Sequence, residues 1–253
     1  MLFSPLPLGD LRLRNRIVLS AMTTGFGYED GAPTPDLLDY FRARAKHVAM
    51  AAVAFGAVSP EARVEQRIPW MWRSSIAEAL SPLARVIAAE GAVPCLQLGH
   101  GGRQASSRVT NRQPVAPSPL KPEAHTSEIP HELTQEEIQS VIVAFGTAAA
   151  RAEEAGFGAI ELHAGHGYLI QQFLSPLANR RSDEYGRDRT LFGRQVITAI
   201  RETAPGLALI VRINGSDLVP EGMTITDALK GASAFVAAGA EALPVSYTHL
   251  RAH

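Results

Sequence analysis

The chain has 253 residues, 46% of them hydrophobic and 19% charged, with a formal net charge of −1. That balance describes a globular protein with a sizeable core and implies no electrostatic attraction to nucleic acid or an anionic membrane. Cys95 is the sole cysteine, which excludes an intrachain disulfide and a cysteine-built metal cluster. The start MLFSPLP has no basic segment followed by an apolar run, and no apolar stretch reaches the length of a membrane span, so a cytoplasmic enzyme is expected.

In chain order, residues 16–22 (RIVLSAM) read as a first buried strand. Thr34 and Pro35 then open a helix as N-cap and first helical residue, with Leu37, Leu38, Phe41 and Ala45 on its apolar face. Residues 50–58 form a second apolar run, a helix-like segment follows Ser75, and residues 92–98 (AVPCLQL) read as a third strand. Thr134 to Glu137 form a capping box for the clearest helix, whose stripe is Ile138, Val141, Ile142, Phe145, Ala149 and Ala152 and whose end is Gly156. The fourth strand is 158–162. A helix over roughly 191–203, a strand over 207–213, a helix from Thr224 to Gly239 and a sixth strand over 241–245 complete the pattern.

The richest stretch is 161–176 (ELHAGHGYLIQQFLSP). A buried strand ends in a turn holding His163, His166 and Tyr168, and a helix follows. Three groups able to donate or accept protons thus leave one strand end together, which suits binding and protonation of a carbonyl compound.

Near-continuous apolar strands alternating with amphipathic helices imply a parallel sheet covered by helices. No Gly-rich dinucleotide fingerprint follows the first strand, against an open doubly wound sheet. Polar residues instead recur at strand ends: Ser20 and Thr23, Gln97 and His100, His163 and His166, Arg212 and Asn214. That distribution points to a TIM (β/α)8 barrel, incomplete, with about six of eight units present. Long loops over 101–133 and 175–190 consume the remaining length.

LFSP from Leu2, LRNRI from Leu13, QLGHGGR from Gln97, HELT from His131, the strand-four motif and NRRSDEYG from Asn179 together resemble the Old Yellow Enzyme family of flavin-dependent NADH:flavin oxidoreductases and ene-reductases. The similarity runs in order from Leu2 to about Val245. It implies FMN across the barrel mouth, NAD(P)H as reductant, and reduction of the activated C=C bond of α,β-unsaturated carbonyl compounds. Ser20, Ala21, Met22 and Thr23 would run along the flavin, with Thr23 bonding the ring carbonyl near its reactive nitrogen. Gln97 would pair with the pyrimidine edge, and Arg212 would place positive charge beside the position that becomes anionic on reduction. Phe55 would offer a backbone N–H. His163 and His166 would bind the substrate oxygen, and Tyr168 would deliver a proton.

The chain departs from the family at several points. Ala21 stands where Pro is usual, and Phe55 where a small residue is usual, so its side chain is expected to point elsewhere. The loop after Gly186 is about three residues shorter, leaving the packing of the next helix open. Residues 246–253 fit neither a strand continuation nor the family. They resemble a translated sequencing-adaptor read-through, which divides the chain into a partial barrel over 1–245 and a non-native tail. A small-molecule substrate is implied, with no nucleic-acid or membrane partner, and a homo-oligomeric parent is compatible with the resemblance.

Other readings stay open from the residues alone. The His pair could bind metal, Arg212 could merely pair with Glu161, and Thr23 could only satisfy a turn. The segment 99–102 with His100 could cradle a phosphate, although it lacks the lysine and hydroxyl of a P-loop. Arg103 to Arg112 read as a solvated loop face, and Trp70 and Trp72 as loop packing with nothing basic around them. A flavin-free lyase or isomerase, or an inert fragment, is the competing function.

Overall fold

The computed structural model describes residues 1–27, 30–122 and 128–246. Its centre is a six-stranded, all-parallel sheet. The strands are β3 (Val18–Met22), β4 (Met50–Ala57), β5 (Val93–Gly99), β8 (Ala159–Ala164), β9 (Ala208–Asn214) and β10 (Val245–Ser246), and they lie side by side in that sequence. The helices between them are α1 (Pro35–Ala45), α2 (Ile76–Ala89), α4 (Gln135–Glu154), α7 (Leu191–Thr203) and α8 (Ile225–Ala237). This is an incomplete (β/α)8 barrel, as the strand count implies.

The caps form as their residues dictate. Thr34 Oγ1 accepts the Leu37 N–H with Pro35 at the first helical position. Thr134 and Glu137 make the full capping box of α4, and Thr224 with Asp227 makes one for α8. Gly156, with φ 92°, follows the end of α4 in the left-handed conformation that a β-carbon resists.

An antiparallel hairpin, β1 (Leu6–Leu8) with β2 (Leu11–Leu13), was not expected from the sequence. Its Leu8 and Leu13 pack on Met50, Ala52, Cys95, Ala159 and Ile210, residues of the N-terminal and middle parts of the strands, so the hairpin closes that end of the sheet. The second core cluster joins the helices to the outer sheet face through Phe41, Leu80, Phe145, Val196 and Phe235.

The loop over 101–133 carries a short helix, α3 (Ser107–Thr110), and a two-stranded parallel ladder of β6 (Val115–Ala116) with β7 (His131–Glu132). After β8 comes α5 (Leu169–Leu174), then α6 (Glu184–Arg187). The shortened loop is tied down. Asp188 accepts from the Thr190 N–H at 3.0 Å and the Thr190 hydroxyl at 2.7 Å, and pairs with Arg194 at 2.5 Å, anchoring α7.

Three expectations need correction. β8 runs two residues further than 158–162, so His163 stands on the strand and only His166 and Tyr168 lie in the turn. The sixth strand is Val245–Ser246 and not 241–245, with Ala242 making only an isolated bridge to Ile210; Ser246 pairs with Asn214, so the strand does continue past Val245, and residues 247–253 lie outside the described residues. Trp70 and Trp72 do stack, at 5.3 Å and 16°, but basic groups surround them: Arg63 lies 5.0 Å from the Trp70 ring and Arg73 5.8 Å.

Candidate active site

The C-terminal ends of the strands enclose a cavity of about 480 Å³. It is lined by Ser20, Ala21, Met22 and Thr23 from β3 and its exit, by Phe55 from β4, by Gln97 from β5, by His163, His166 and Tyr168 from β8 and its turn, and by Arg212 from β9. Every site residue expected from the sequence therefore reaches one cavity. Ala54, Val64, Val245 and Ser246 complete the wall and were missed. Ala54 and Val245 carry no chemical signal, and Val64 and Ser246 arrive from a loop and a last short strand.

His100 is not part of this wall. It is 1% exposed, its Nδ1 accepts the Gly102 N–H at 3.0 Å, and its Nε2 is buried without a partner among the described residues. The phosphate-cradle reading of 99–102 has no support, because this segment packs inward.

Glu161 organises the polar floor. Buried at 2% exposure, it accepts from Gln97 Nε2 at 2.6 Å and from Arg212 through Nε at 2.8 Å and Nη2 at 3.0 Å. Arg212 Nη1 also donates to Ser246 Oγ at 3.2 Å. The pairing of Arg212 with Glu161 is thus real, and Arg212 lines the cavity as well. The pair presents an oriented dipole with its cationic end available, and Gln97 keeps Oε1 as an acceptor for a ligand N–H.

The opposite wall holds the proton-handling groups. His163 and His166 meet edge to face at 4.8 Å, and His163 and Tyr168 likewise at 4.8 Å. The Gly165 N–H donates to His163 Nδ1 at 3.2 Å, which places the ring proton on Nε2. Burial, then the neighbouring His166 and Arg212, hold His163 well below the usual histidine range; burial, then Arg212, lower His166. Both are neutral donors at pH 7. Burial, then Glu65, push the Tyr168 phenol up, so it keeps its proton.

Phe55 corrects an expectation. Its side chain does not turn away from the site: it is buried and packs 6.0 Å from the His163 ring and 5.3 Å from that of Tyr168. At the exit of β3, the turn is served by Thr24, whose Oγ1 accepts the Phe26 N–H at 3.3 Å, and not by Thr23.

This donor set fits a flat heteroaromatic ring that presents an N–H to Gln97 and gains negative charge near Arg212, and the volume lies within the usual range for cofactor sites. The sequence pattern of the NADH:flavin oxidoreductase / NADH oxidase family matches residues 1–251. The chain belongs to this family, that of Old Yellow Enzyme. The family's cofactor is FMN, with NAD(P)H as reductant.

Among curated relatives, a metal reductase of Desulforamulus reducens is 38% identical over 250 residues, covering 97% of this chain and 37% of the relative. An NADPH dehydrogenase of Bacillus cytotoxicus is 38% identical over 231 residues, covering 89% of this chain and 65% of the relative. The chain therefore spans less than two thirds of the length of either. Morphinone reductase in complex with tetrahydroNAD superposes with a TM-score of 0.88 at 27% identity, over 96% of this chain and 73% of that one. The old yellow enzyme homologue from Zymomonas mobilis gives 0.89 at 25% identity, over 97% and 73%. Among the described residues, no helix is long and apolar enough to cross a membrane, and no three His, Cys, Asp or Glu side chains are grouped to hold a metal ion.

Proposed function

We propose that the protein is an FMN-dependent oxidoreductase that takes hydride from NAD(P)H and reduces the activated C=C bond of α,β-unsaturated carbonyl compounds. One observation carries this reading: two neutral imidazoles and a protonated phenol share the cavity wall facing the Gln97–Glu161–Arg212 floor. Bound in the cavity, the flavin supplies two-electron hydride chemistry.

The chain's own residues do the rest. Gln97 and Arg212 would hold the polar edge of the ring, and Arg212 would supply positive charge there, worth more in a dry site than in water. Ser20, Ala21, Met22 and Thr23 would bound the ring along β3, and the Phe55 backbone would bound it along β4. His163 and His166 donate to the substrate's carbonyl oxygen and draw electron density out of its double bond. Tyr168 gives its phenolic proton to the α-carbon. Because the imidazoles are neutral, they polarise the oxygen without surrendering a proton to it, leaving Tyr168 as the acid.

The family assignment sets aside the flavin-free lyase or isomerase. The test uses the full-length protein loaded with FMN, reduced anaerobically by NADPH and mixed with 2-cyclohexen-1-one. Stoichiometric reoxidation yielding cyclohexanone is expected. Reduction by NADPH followed by no reoxidation with any enone, enal or enoate would overturn the reading.

A further inference from the structure

The turn that aims His166 and Tyr168 into the cavity is gripped from behind by four carboxamides. His166 and Gly167 both adopt left-handed backbone, with φ 55° and 72°. A glycine takes this conformation freely, whereas a histidine resists it and needs outside support. Each polar backbone group of the two residues meets a different side-chain amide. The His166 N–H donates to Asn214 Oδ1 at 3.2 Å, and Gln104 Nε2 donates to the His166 carbonyl at 2.8 Å. The Gly167 N–H donates to Gln171 Oε1 at 2.5 Å, and Gln172 Nε2 donates to the Gly167 carbonyl at 2.7 Å. Gln171 and Gln172 are adjacent and both buried, and they splay to opposite ends of one glycine.

Their orientations are fixed by the network. Gln171 Oε1 also accepts from Asn214 Nδ2 at 3.0 Å, and its Nε2 donates to Asp217 Oδ1 at 2.7 Å. Asp217 Oδ2 in turn accepts from the Ser175 hydroxyl at 2.6 Å and the Met223 N–H at 2.8 Å. Turning the Gln171 amide over would set its NH2 against two donors and its oxygen against a carboxylate. Gln104, Gln171 and Gln172 border a separate cavity of about 430 Å³ and do not line the one that holds His163. Any effect they have on chemistry passes through the turn.

We propose that this carboxamide clamp sets the aim of His166 and Tyr168, and that Gln171, the member joined to Gly167, Asn214 and Asp217 together, is its central positioning residue. The proposal rests on the reading that these side chains handle the substrate.

Three variants of the full-length, FMN-loaded protein test it: Gln171→Leu, Gln171→Glu, and Gln171→Glu combined with Asp217→Asn. Leu removes every bond. Glu keeps the acceptor for Gly167 and Asn214 but faces the Asp217 carboxylate. The double change swaps polarity: the new amide at position 217 donates to the new carboxylate at position 171, while the amide oxygen still accepts from Ser175 and Met223. Two quantities are read, amide hydrogen exchange over residues 163–170 and the affinity for 4-chlorophenol, followed by its charge-transfer band with oxidised flavin.

Both single changes should speed exchange of this segment and weaken phenol binding at least tenfold with FMN retained, and the double change should recover most of both. Wild-type exchange and affinity in Gln171→Leu would overturn the proposal, as would a double variant no better than Gln171→Glu. If Gln171→Leu does not fold, Gln104→Ala removes a single peripheral bond and must shift both readouts the same way by a smaller factor; no shift overturns the clamp. A wild-type protein that binds no phenol would count against the substrate reading, while the exchange measurement still judges the clamp.

Discussion

The ring of Phe55 occupies the space that a β-carbon on residue 99 would need: placed on Gly99, that atom would lie 2.2 Å from Phe55 Cε2 and 2.5 Å from Cζ. The absence of a side chain at the end of β5 is what admits the ring beneath His163 and Tyr168. The two positions form one packing unit.

Gly99→Ala should therefore overpack the site and cost about 1–3 kcal/mol, and Phe55→Ala should leave a void costing about 3–5 kcal/mol. Combining them should recover part of the loss, because the new methyl enters the vacated space. Urea unfolding of the FMN-loaded full-length protein measures all three. Strictly additive losses would show that the two residues do not share this space.

Tyr168→Phe should leave flavin reduction by NADPH near its normal rate and slow alkene reduction by roughly 10²–10⁴-fold, the range for a positioned acid. Because burial and Glu65 raise the phenol's pKa, the alkene-reducing rate should stay flat through neutral pH and fall only where the phenol ionises, above its ordinary value near 10. Stopped-flow measurement of each half-reaction separates the outcomes. Equal slowing of both would assign Tyr168 to structure.

Arg212→Ala would leave Glu161 as a buried carboxylate with Gln97 as its remaining side-chain partner in the floor. Removing one member of a buried pair costs about 3–5 kcal/mol. The double variant Arg212→Ala/Glu161→Gln should regain most of that stability, yet its flavin potential should remain lower than in the parent, since no cation faces the reduced ring. Unfolding and spectroelectrochemical titration separate the structural effect from the electrostatic one. A potential unchanged in both variants would take Arg212 out of the flavin's field.

Much of this site was legible because β4, β5, β8 and β9 are buried and read as nearly unbroken apolar runs, so each polar residue near a strand end stood out; β3, expected as a buried strand, is instead half-exposed along its length. Gln97, His163 and Arg212 were found that way. Glu161 was noticed only as a partner for Arg212, although it also fixes Gln97 from the neighbouring strand. The clamp was invisible for a related reason: Gln104 and His166 are 62 residues apart, and a glutamine at the start of a helix looks like any solvated helix former. The hairpin at Leu6–Leu13 escaped notice because two three-residue strands are too short to show alternation. Phe55 was misjudged because its place depends on Gly99, on the next strand.

Acidification should destabilise the fold in a window set by His100. Burial lowers its pKa to about 4 against an ordinary value of 6.5. The unfolded chain therefore takes up a proton below pH 6.5 that the native state refuses until about pH 4, so stability falls as pH drops through this interval, by about 3 kcal/mol from this group. His163, also depressed by burial, acts in the same direction. His100→Gln keeps an acceptor for the Gly102 N–H and removes the titration. Its stability should decline less steeply between pH 6.5 and 4 than that of the parent. Parallel slopes would show that His100 does not drive the acid response.

The sheet's edges govern the behaviour of the 253-residue chain expressed alone. At one edge β3 exposes Val18 at 40% and Met22 at 52%, and at the other β10 exposes Val245 at 60%. Beside β10, α8 turns Ile225, Leu229 and Val236 outward, each more than half exposed and spaced along one face of the helix. Unpaired strand edges flanked by apolar surface recruit other chains, whereas a closed barrel has none. The isolated chain should self-associate and bind 8-anilinonaphthalene-1-sulfonate, and Leu229→Lys with Val236→Glu should reduce both effects without touching the flavin cavity. Light scattering coupled to size exclusion, with dye fluorescence, checks this. A monodisperse monomer that binds no dye would show that these edges do not recruit a second chain.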